Sequence, residues 1–388
     1  MSRFSRRGVL SASLAGIVGV VVGGVGGYSL RQPEVREAVR TLTQTVTRAV
    51  TETRLQTDVR TVTQTATMTV GGRSPPPKDK ITIAASYEGF SFAAFQAQHN
   101  TEMFKAMGYN ADFSPLGVRG STAAFTAKQA QIWITSPDQA APLIEKGEDV
   151  IFVGGVGSNA YYIVASADIS NLKDFEGRPF GISSVGALSH TIPLYMMRQA
   201  GVDVDKVQWV AVGGSGARAS ALLAGRTAGT VLIADVALNT VKESGGKVKL
   251  LVTVADVIPG RMLDQAVYAI YRDWAEKNPQ IVMDFLRAKI LSDAWAAVNS
   301  EEYIRMATER GLGKVDQEGL YFYTTVYELY RSKGWLPFFM DKESIPILFM
   351  LAKEFGYIAK DLDWRKVYEP KYLNAVIKNL SEYIPKAV

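Results

Sequence analysis

Downstream of residue 80, short apolar runs alternate with longer stretches whose apolar positions recur at helical spacing. Residues 81–85 read as a strand, and 92–107 as a helix stopped by Gly108. A strand over 111–116 and a helix over 121–130 follow, then a strand over 131–135. Asp138 caps a helix that runs to Lys146 and stops at Gly147, before a strand over 150–153. The pattern then restarts, with strands over 178–182, 207–212, 230–234 and 249–254 and helices over 189–200 and 217–223. From Trp274 the chain reads as mainly helical, with Pro279 at the first position of one helix. Tyr321, Phe322, Tyr323, Tyr327 and Tyr330 read as packing residues of this segment. Such alternation predicts an α/β protein of two lobes, each a mostly parallel sheet with helices on both faces, and a helical tail that covers one sheet.

The first 79 residues carry other patterns. An uncharged run over 8–30, rich in Val, Gly, Ala and Leu, follows Arg3, Arg6 and Arg7. Ser5-Arg6-Arg7-Gly8-Val9-Leu10 resembles a twin-arginine export signal. As a helix the run is long enough to cross about 30 Å of hydrocarbon. A cleaved signal and an uncleaved signal-anchor both fit. The run's length and the lack of a cysteine for lipid attachment favour the anchor, with the arginines inside. Over 31–79 the apolar positions Val35, Val39, Leu42, Val46 and Ala49, then Leu55, Val59, Val62 and Ala66, step at heptad spacing. The segment is also rich in threonine, a poor helix former. It reads as a stalk, a weak self-associating coiled coil or a flexible and glycosylated Thr-rich spacer. Gly71-Gly72 and Pro75-Pro76-Pro77 end it as a linker, and the globular part begins near Lys80.

Charge changes the picture only once it is placed on the chain. The formal net charge is +5, but residues 1–77 hold ten Lys/Arg and four Asp/Glu. Residues 78–388 therefore hold 33 basic and 34 acidic residues, which argues against a nucleic-acid partner. The absence of cysteine excludes disulfides, thiolate nucleophiles, cysteine zinc sites and iron–sulfur clusters. With only His99 and His190, a multi-histidine metal site is excluded too, and no cofactor is expected.

Candidate chemistry gathers where strands end. In open α/β sheets ligands bind at the carboxyl ends of strands, where Gly and Ser can present free amides and hydroxyls at helix N-termini. Tyr87 and Glu88 follow the first strand, and Ser136 follows the third. Gly154-Gly155-Val156-Gly157 is expected as a loop after the fourth. In the second lobe stand Ser183, Ser184, Gly186 and Ser189, then Gly213, Gly214 and Ser215. His190 sits beside the first of these loops as a donor, and Asp235 can accept from a ligand amine, pair with Arg218 or cap a helix. Arg218 or Arg119 would serve an anion, and Tyr87, Phe90 or Tyr161 would stack on a pyrimidine. Glu88 with Asp235 would serve an amine.

Two motifs carry a resemblance. Asn171-Leu172-Lys173-Asp174-Phe175-Glu176-Gly177-Arg178-Pro179-Phe180-Gly181-Ile182-Ser183-Ser184 resembles the opening of the second lobe in solute-binding proteins of ABC importers, of the nitrate/sulfonate/taurine and thiamine-pyrimidine-precursor type. The segment from Gly213 to Arg226, ending Ala224-Gly225-Arg226, is similar to a second motif of that family, although Thr227-Ala228-Gly229 stands where an acidic residue is usual. The resemblance spans about 80–388. It implies a type II periplasmic-binding-protein fold with crossovers near 162–167 and 264–268, one lobe over about 80–165 plus 266–388 and the other over about 168–263. It also implies a receptor that closes on a small solute and docks on a membrane permease with its ATPase; the binding domain itself is expected to be a monomer. The 183–189 loop would hold the solute's polar head. Two rivals stand beside it: a sensor acting through a separate partner, and an enzyme related to the pyrimidine synthase of thiamine biosynthesis. The missing cysteines count against the second.

Overall fold

The computed structural model describes residues 79–87, 91–158, 161–259, 261–332 and 340–378. The expected signal, anchor and stalk, and also Glu88 and Phe90, lie outside these residues. The chain begins with β1 (Ile81–Ala85), α1 (Phe92–Ala106), β2 (Ala111–Pro115), α2 (Gly117–Thr126), β3 (Ile132–Thr135), α3 (Pro137–Glu145) and β4 (Val150–Ser158). It continues with β5 (Tyr161–Ser166), β6 (Pro179–Ile182), α4 (Leu188–Gln199), β7 (Gln208–Ala211), α5 (Ser215–Leu223), β8 (Gly229–Ile233), α6 (Ala234–Glu243), β9 (Val248–Thr253) and α7 (Val254–Val257). Then come β10 (Gln265–Tyr271), α8 (Arg272–Lys277), α9 (Pro279–Val298), α10 (Ser300–Leu312), α11 (Gln317–Ser332), α12 (Ile345–Glu354) and α13 (Lys371–Lys378).

The strands form two five-stranded sheets of matching order, β2-β1-β3-β10-β4 and β7-β6-β8-β5-β9. Each sheet has one antiparallel strand, β10 in the first and β5 in the second, and its other four strands run parallel to one another, in keeping with the mostly parallel sheets expected. Both odd strands enter from the other lobe, which reverses their direction. The segments expected as crossovers, 162–167 and 264–268, are therefore ladder strands. The chain crosses just before each of them, between Ser158 and Tyr161 and between Thr253 and Gln265. Residues 161–165, assigned to the first lobe from sequence, belong to the second sheet.

Strand alternation feeds a core on both faces of the first sheet. Ile83, Ile134, Ile151 and Tyr268 pack with Phe104 of α1 and Phe285 of α9. The intervening Trp133, Phe152 and Val267 pack with Phe125 of α2 and Phe349 of α12. Trp133 is core, as its strand position predicts. In the second lobe Phe180, Ile182 and Ile163 pack under Ile192 of α4. The other face, with Val164 and Leu232, packs against Tyr303 of α10 and Tyr327 and Tyr330 of α11. The tail thus covers the second sheet as well as the first, and the five tail aromatics divide, with Tyr321 exposed and Tyr323, Tyr327 and Tyr330 buried.

Several boundaries differ from the sequence reading. The helix expected over 121–130 starts at Gly117 and ends at Thr126. Ser136, not Asp138, is the N-cap of α3, and Asp138 lies in the helix's first turn behind Pro137. Gly154 and Gly155 lie inside β4 and not in a loop, because β4 pairs with β10 across its whole length. A Cβ on Gly154 would sit 2.9 Å from Leu286 Cδ2, so the glycine admits the helix of α9 close to the sheet.

Candidate functional site

The carboxyl ends of both sheets face one cavity of about 680 Å³. That volume lies within the range of small organic ligand sites. The first lobe supplies Tyr87 after β1 and Ser136, Asp138 and Gln139 at the start of α3. The second supplies Ser183, Ser184, Gly186 and Ser189 ahead of and within α4, and Gly213, Gly214, Ser215 and Arg218 at the start of α5. Tyr161 and Gln265 enter from the two crossovers, and Tyr330 and Tyr357 from the C-terminal helical region.

The 183–189 loop is braced from within. The Ser183 amide donates to Ser189 Oγ at 2.9 Å, and the two hydroxyls lie 2.7 Å apart. Gly186 adopts φ +82°, a left-handed conformation that glycine takes without cost. A Cβ there would stand 2.5 Å from Tyr357 Oη, so the loop packs directly on that ring.

His190 does not line the cavity. Its Nδ1 accepts the Gly186 amide at 3.0 Å, and its ring lies between Trp209 and Phe355. Burial lowers its pKa, which keeps Nδ1 an acceptor. The expected donor to ligand is thus a support for the loop. Asp235 is likewise absent from the cavity wall. Its Oδ1 accepts the Val236 amide at 3.1 Å and its Oδ2 the Phe92 amide at 3.3 Å, which ties α6 of one lobe to α1 of the other. Burial pushes its carboxyl up to about 6. The Arg218 side chain is bonded to Gly213, Ser215 and Val231 and forms no pair with Asp235. Arg119 is exposed and does not line the cavity.

Arg218 carries the charge of the second wall. It is 4% exposed. Its Nη1 donates to Gly213 O at 2.7 Å, Nη2 to Ser215 Oγ at 3.2 Å and Val231 O at 3.1 Å, and Nε to Val231 O at 3.3 Å. All these acceptors are neutral, and among the described residues Arg218 makes no ion pair. Burial lowers its pKa, but a guanidinium keeps its proton. The N-termini of α4 and α5 add partial positive charge to the same wall. This wall suits an anion.

The first wall differs. Asp138 is 9% exposed, and burial pushes its carboxyl up to about 6. Hydrogen bonds from the Ser136 side chain and from the Asp138 and Gln139 amides partly offset that burial, while the buried Tyr87 Oη on the same wall has no hydrogen-bond partner. Buried polar atoms are rarely left so. Of the residues singled out from sequence, Tyr87, Ser136, Ser183, Ser184, Gly186, Ser189, Gly213, Gly214 and Ser215 meet at the cavity. Asp138 was legible only as a helix cap and Arg218 only as one of two anion candidates. Nothing local in the sequence around Tyr357 pointed to it.

The profile of the family described as NMT1/THI5 like matches residues 81–302, more than half of the chain. The chain belongs to the NMT1/THI5-like family. No curated protein matches it by sequence. Among solved structures it is similar to the putative periplasmic sulfonate-binding protein SsuA of an ABC transporter from Methylobacillus flagellatus, at 17% identity and TM-score 0.62, covering 79% of this chain and 96% of that one. It is also similar to the periplasmic aliphatic sulphonate binding protein SsuA from Escherichia coli, at 17% identity and TM-score 0.59, covering 76% and 93%. A third is the Candida albicans CA3427 product, described as having the generic periplasmic binding protein fold, at 12% identity and TM-score 0.53, covering 77% and 95%. The NMT1/THI5-like chain therefore has the periplasmic-binding-protein fold expected of it.

Proposed function

We propose that this chain is the extracytoplasmic solute-binding component of an ABC importer and captures a small anionic solute of the sulfonate type between its two lobes. The carrying observation is Arg218, a buried cation with only neutral hydrogen-bond partners, beside two helix N-termini on the wall of an inter-lobe cavity. The near-neutral globular part supplies no overall field for anions, so the preference rests on this local arrangement. The names of the sulfonate-binding neighbours support the same reading. A cavity of about 680 Å³ is larger than nitrate needs, which favours an organic solute. Capture, and not catalysis, fits the polar groups. Ser189 Oγ is engaged with Ser183 and His190 Nδ1 with the Gly186 amide, so these neighbours do not form a nucleophile–base pair.

In this reading residues 1–30 export and anchor the chain at the outer face of the cell membrane, and 31–79 form a stalk. The receptor then reaches a permease and its ATPase as a monomer. Among the described residues no helix is long and apolar enough to cross a membrane.

Calorimetric titration of the full chain with a panel of short organosulfonates, sulfate and nitrate tests the capture. One or more organosulfonates should bind, and Arg218→Gln should weaken that binding by at least about tenfold through loss of charge-assisted hydrogen bonds. Binding that is indifferent to Arg218, or absent across the panel, sinks the proposal.

A further inference from the structure

The residues that line the cavity sort by exposure into a deep end and a mouth. Ile134, Asp138, Arg218, Gln265 and Tyr330 are buried and form the deep end. Val118, Ser184, Gly214 and Tyr357 are exposed and mark the mouth. Among the described lining residues Tyr357 is the one exposed aromatic, at 43%. Its main chain belongs to the first lobe. α12 ends in a turn through Gly356 at φ +73°, and the Tyr357 amide donates back to Ala352 O at 2.8 Å. The next residue, Ile358, is buried in the first lobe's core. The Ala359 and Lys360 amides both donate to Glu145 Oε1 of α3, at 2.6 Å. The ring reaches the other way, onto the second lobe. A Cβ on Gly186 would stand 2.5 Å from Tyr357 Oη and 2.9 Å from Cζ. Tyr357 thus spans the mouth from one lobe to the other.

We infer that Tyr357 is a specificity-determining residue of the capture site: its ring is the outer stop of the cavity and sets how long a tail a solute carries beyond the head held at Arg218. The inference rests on the capture reading above and deepens it. Arg218 is at the buried end, so a solute anchored there extends toward the mouth. Val118, Pro142 and Leu188 also line the cavity, so each added methylene finds apolar surface until the tail meets the ring. The ring has little room to yield. On one side it touches the main chain of Gly186, in a loop braced by Ser189 and His190. On the other its own main chain is held by the Gly356 turn and by Glu145. Burial raises the pKa of its phenol and the Asp138 carboxylate adds to the rise, so the ring also lies near the first lobe's wall. A close-packed wall of this kind rejects one methylene too many, because the tail and the ring cannot share the space.

The test titrates the full chain by calorimetry with unbranched alkanesulfonates of two to eight carbons. In the parent, affinity should rise with chain length and then drop about tenfold or more at one further methylene. Tyr357→Ala should move that break to longer chains by about two carbons or more. Tyr357→Trp fills more of the mouth and should move it to shorter ones. Tyr357→Phe keeps the ring and should leave the break in place. Far-UV circular dichroism checks the fold of all three, and if Tyr357→Ala fails to fold, Tyr357→Trp decides. A merely structural role for Tyr357 would lower affinity for every member alike and leave the break where it was. If the parent shows no break, or the break does not follow the size of residue 357, the stop is wrong, while capture stands on its sensitivity to Arg218→Gln. A shift in Tyr357→Phe equal to that in Tyr357→Ala would assign the stop to the hydroxyl and overturn the role of the ring. If no alkanesulfonate binds, the capture reading falls and the stop with it.

Discussion

At the scale of single residues, the cavity's polarity is paid for in the unliganded protein. Asp138 is buried and holds its proton up to about 6, against 3.8 for an ordinary aspartate. Between those values the folded chain carries more protons than the unfolded one, so this group makes stability fall as pH rises through the window. Above about 6 the loss is complete and amounts to at most about 3 kcal/mol. Asp235 titrates in the same window for the same reason, but it accepts the Phe92 and Val236 amides, and its removal leaves them unmatched. His99 acts in the opposite sense. Burial lowers its pKa to about 4, so its contribution falls as pH drops from 6.5 towards 4. The parent's stability curve therefore mixes these groups, and the difference between parent and Asp138→Asn isolates one. In urea unfolding without ligand, the variant should match the parent near pH 4 and exceed it by up to about 3 kcal/mol at pH 7. A variant less stable than the parent at pH 7 would show that the carboxylate is compensated inside the protein and is not waiting for a ligand.

At the scale of elements, the loop from Ser183 to Ser189 is held from three sides. Ser189 fixes its start, His190 accepts from its middle, and Tyr357 backs Gly186. Gly186→Ala adds a Cβ at φ +82°, where an L side chain is strained by about 1–2 kcal/mol. It also forces Tyr357 aside. The variant should fold yet bind the solute more weakly, and adding Tyr357→Ala should recover part of the loss by making room. Unchanged affinity in Gly186→Ala, measured by the same titration, would remove this loop from the site. This loop was readable because Gly and Ser between a strand and a helix have few other uses there. Other elements were less readable, for physical reasons. Gly154 and Gly155 carry a turn composition, but they are strand residues, and Gly154 is small because α9 packs close to it. Gly229 is small for a comparable reason. A Cβ on Gly229 would run into the Phe175 ring, and Phe175 belongs to the first family-like motif. The two motifs are thus packing partners, which spacing along the chain does not reveal. Strand direction was also hidden, because alternation of apolar and polar residues is the same whichever way a strand runs.

At the scale of the whole molecule, the same sheet order appears twice and the chain crosses twice, and the two crossings are fastened together. The Tyr161 amide at the first donates to Asp264 Oδ2 at the second, at 2.7 Å. Asp341 fastens the second crossing from the C-terminal side. Its Oδ2 accepts the Met262 amide at 3.0 Å, and its backbone exchanges hydrogen bonds with the Gln265 amide group at 2.8 and 2.9 Å. Two further bridges join the lobes. Phe92 and Phe95 of α1 pack with Tyr303 and Tyr330 in the core of the second lobe. α12 places Leu348 in the second lobe's core while Ile345 and Phe349 lie in the first lobe's. The sequence indicated two lobes and a covering tail, and it separated the charge of residues 1–77 from a near-neutral remainder. It did not indicate that the tail joins the lobes, because helical periodicity marks an apolar face without naming its partner. Bridges of this kind resist a wide hinge opening, since opening would expose shared core. Solute binding should therefore leave the radius of gyration in small-angle scattering nearly constant while slowing hydrogen exchange at 183–189 and 213–216. Leu348→Ala leaves a cavity in one of the bridges at a cost of about 2–5 kcal/mol. It should loosen the contact between the lobes and make the scattering radius solute-dependent. A large solute-induced contraction in the parent chain would show that these shared cores part and re-form during capture, and the buttressed hinge would have to be abandoned.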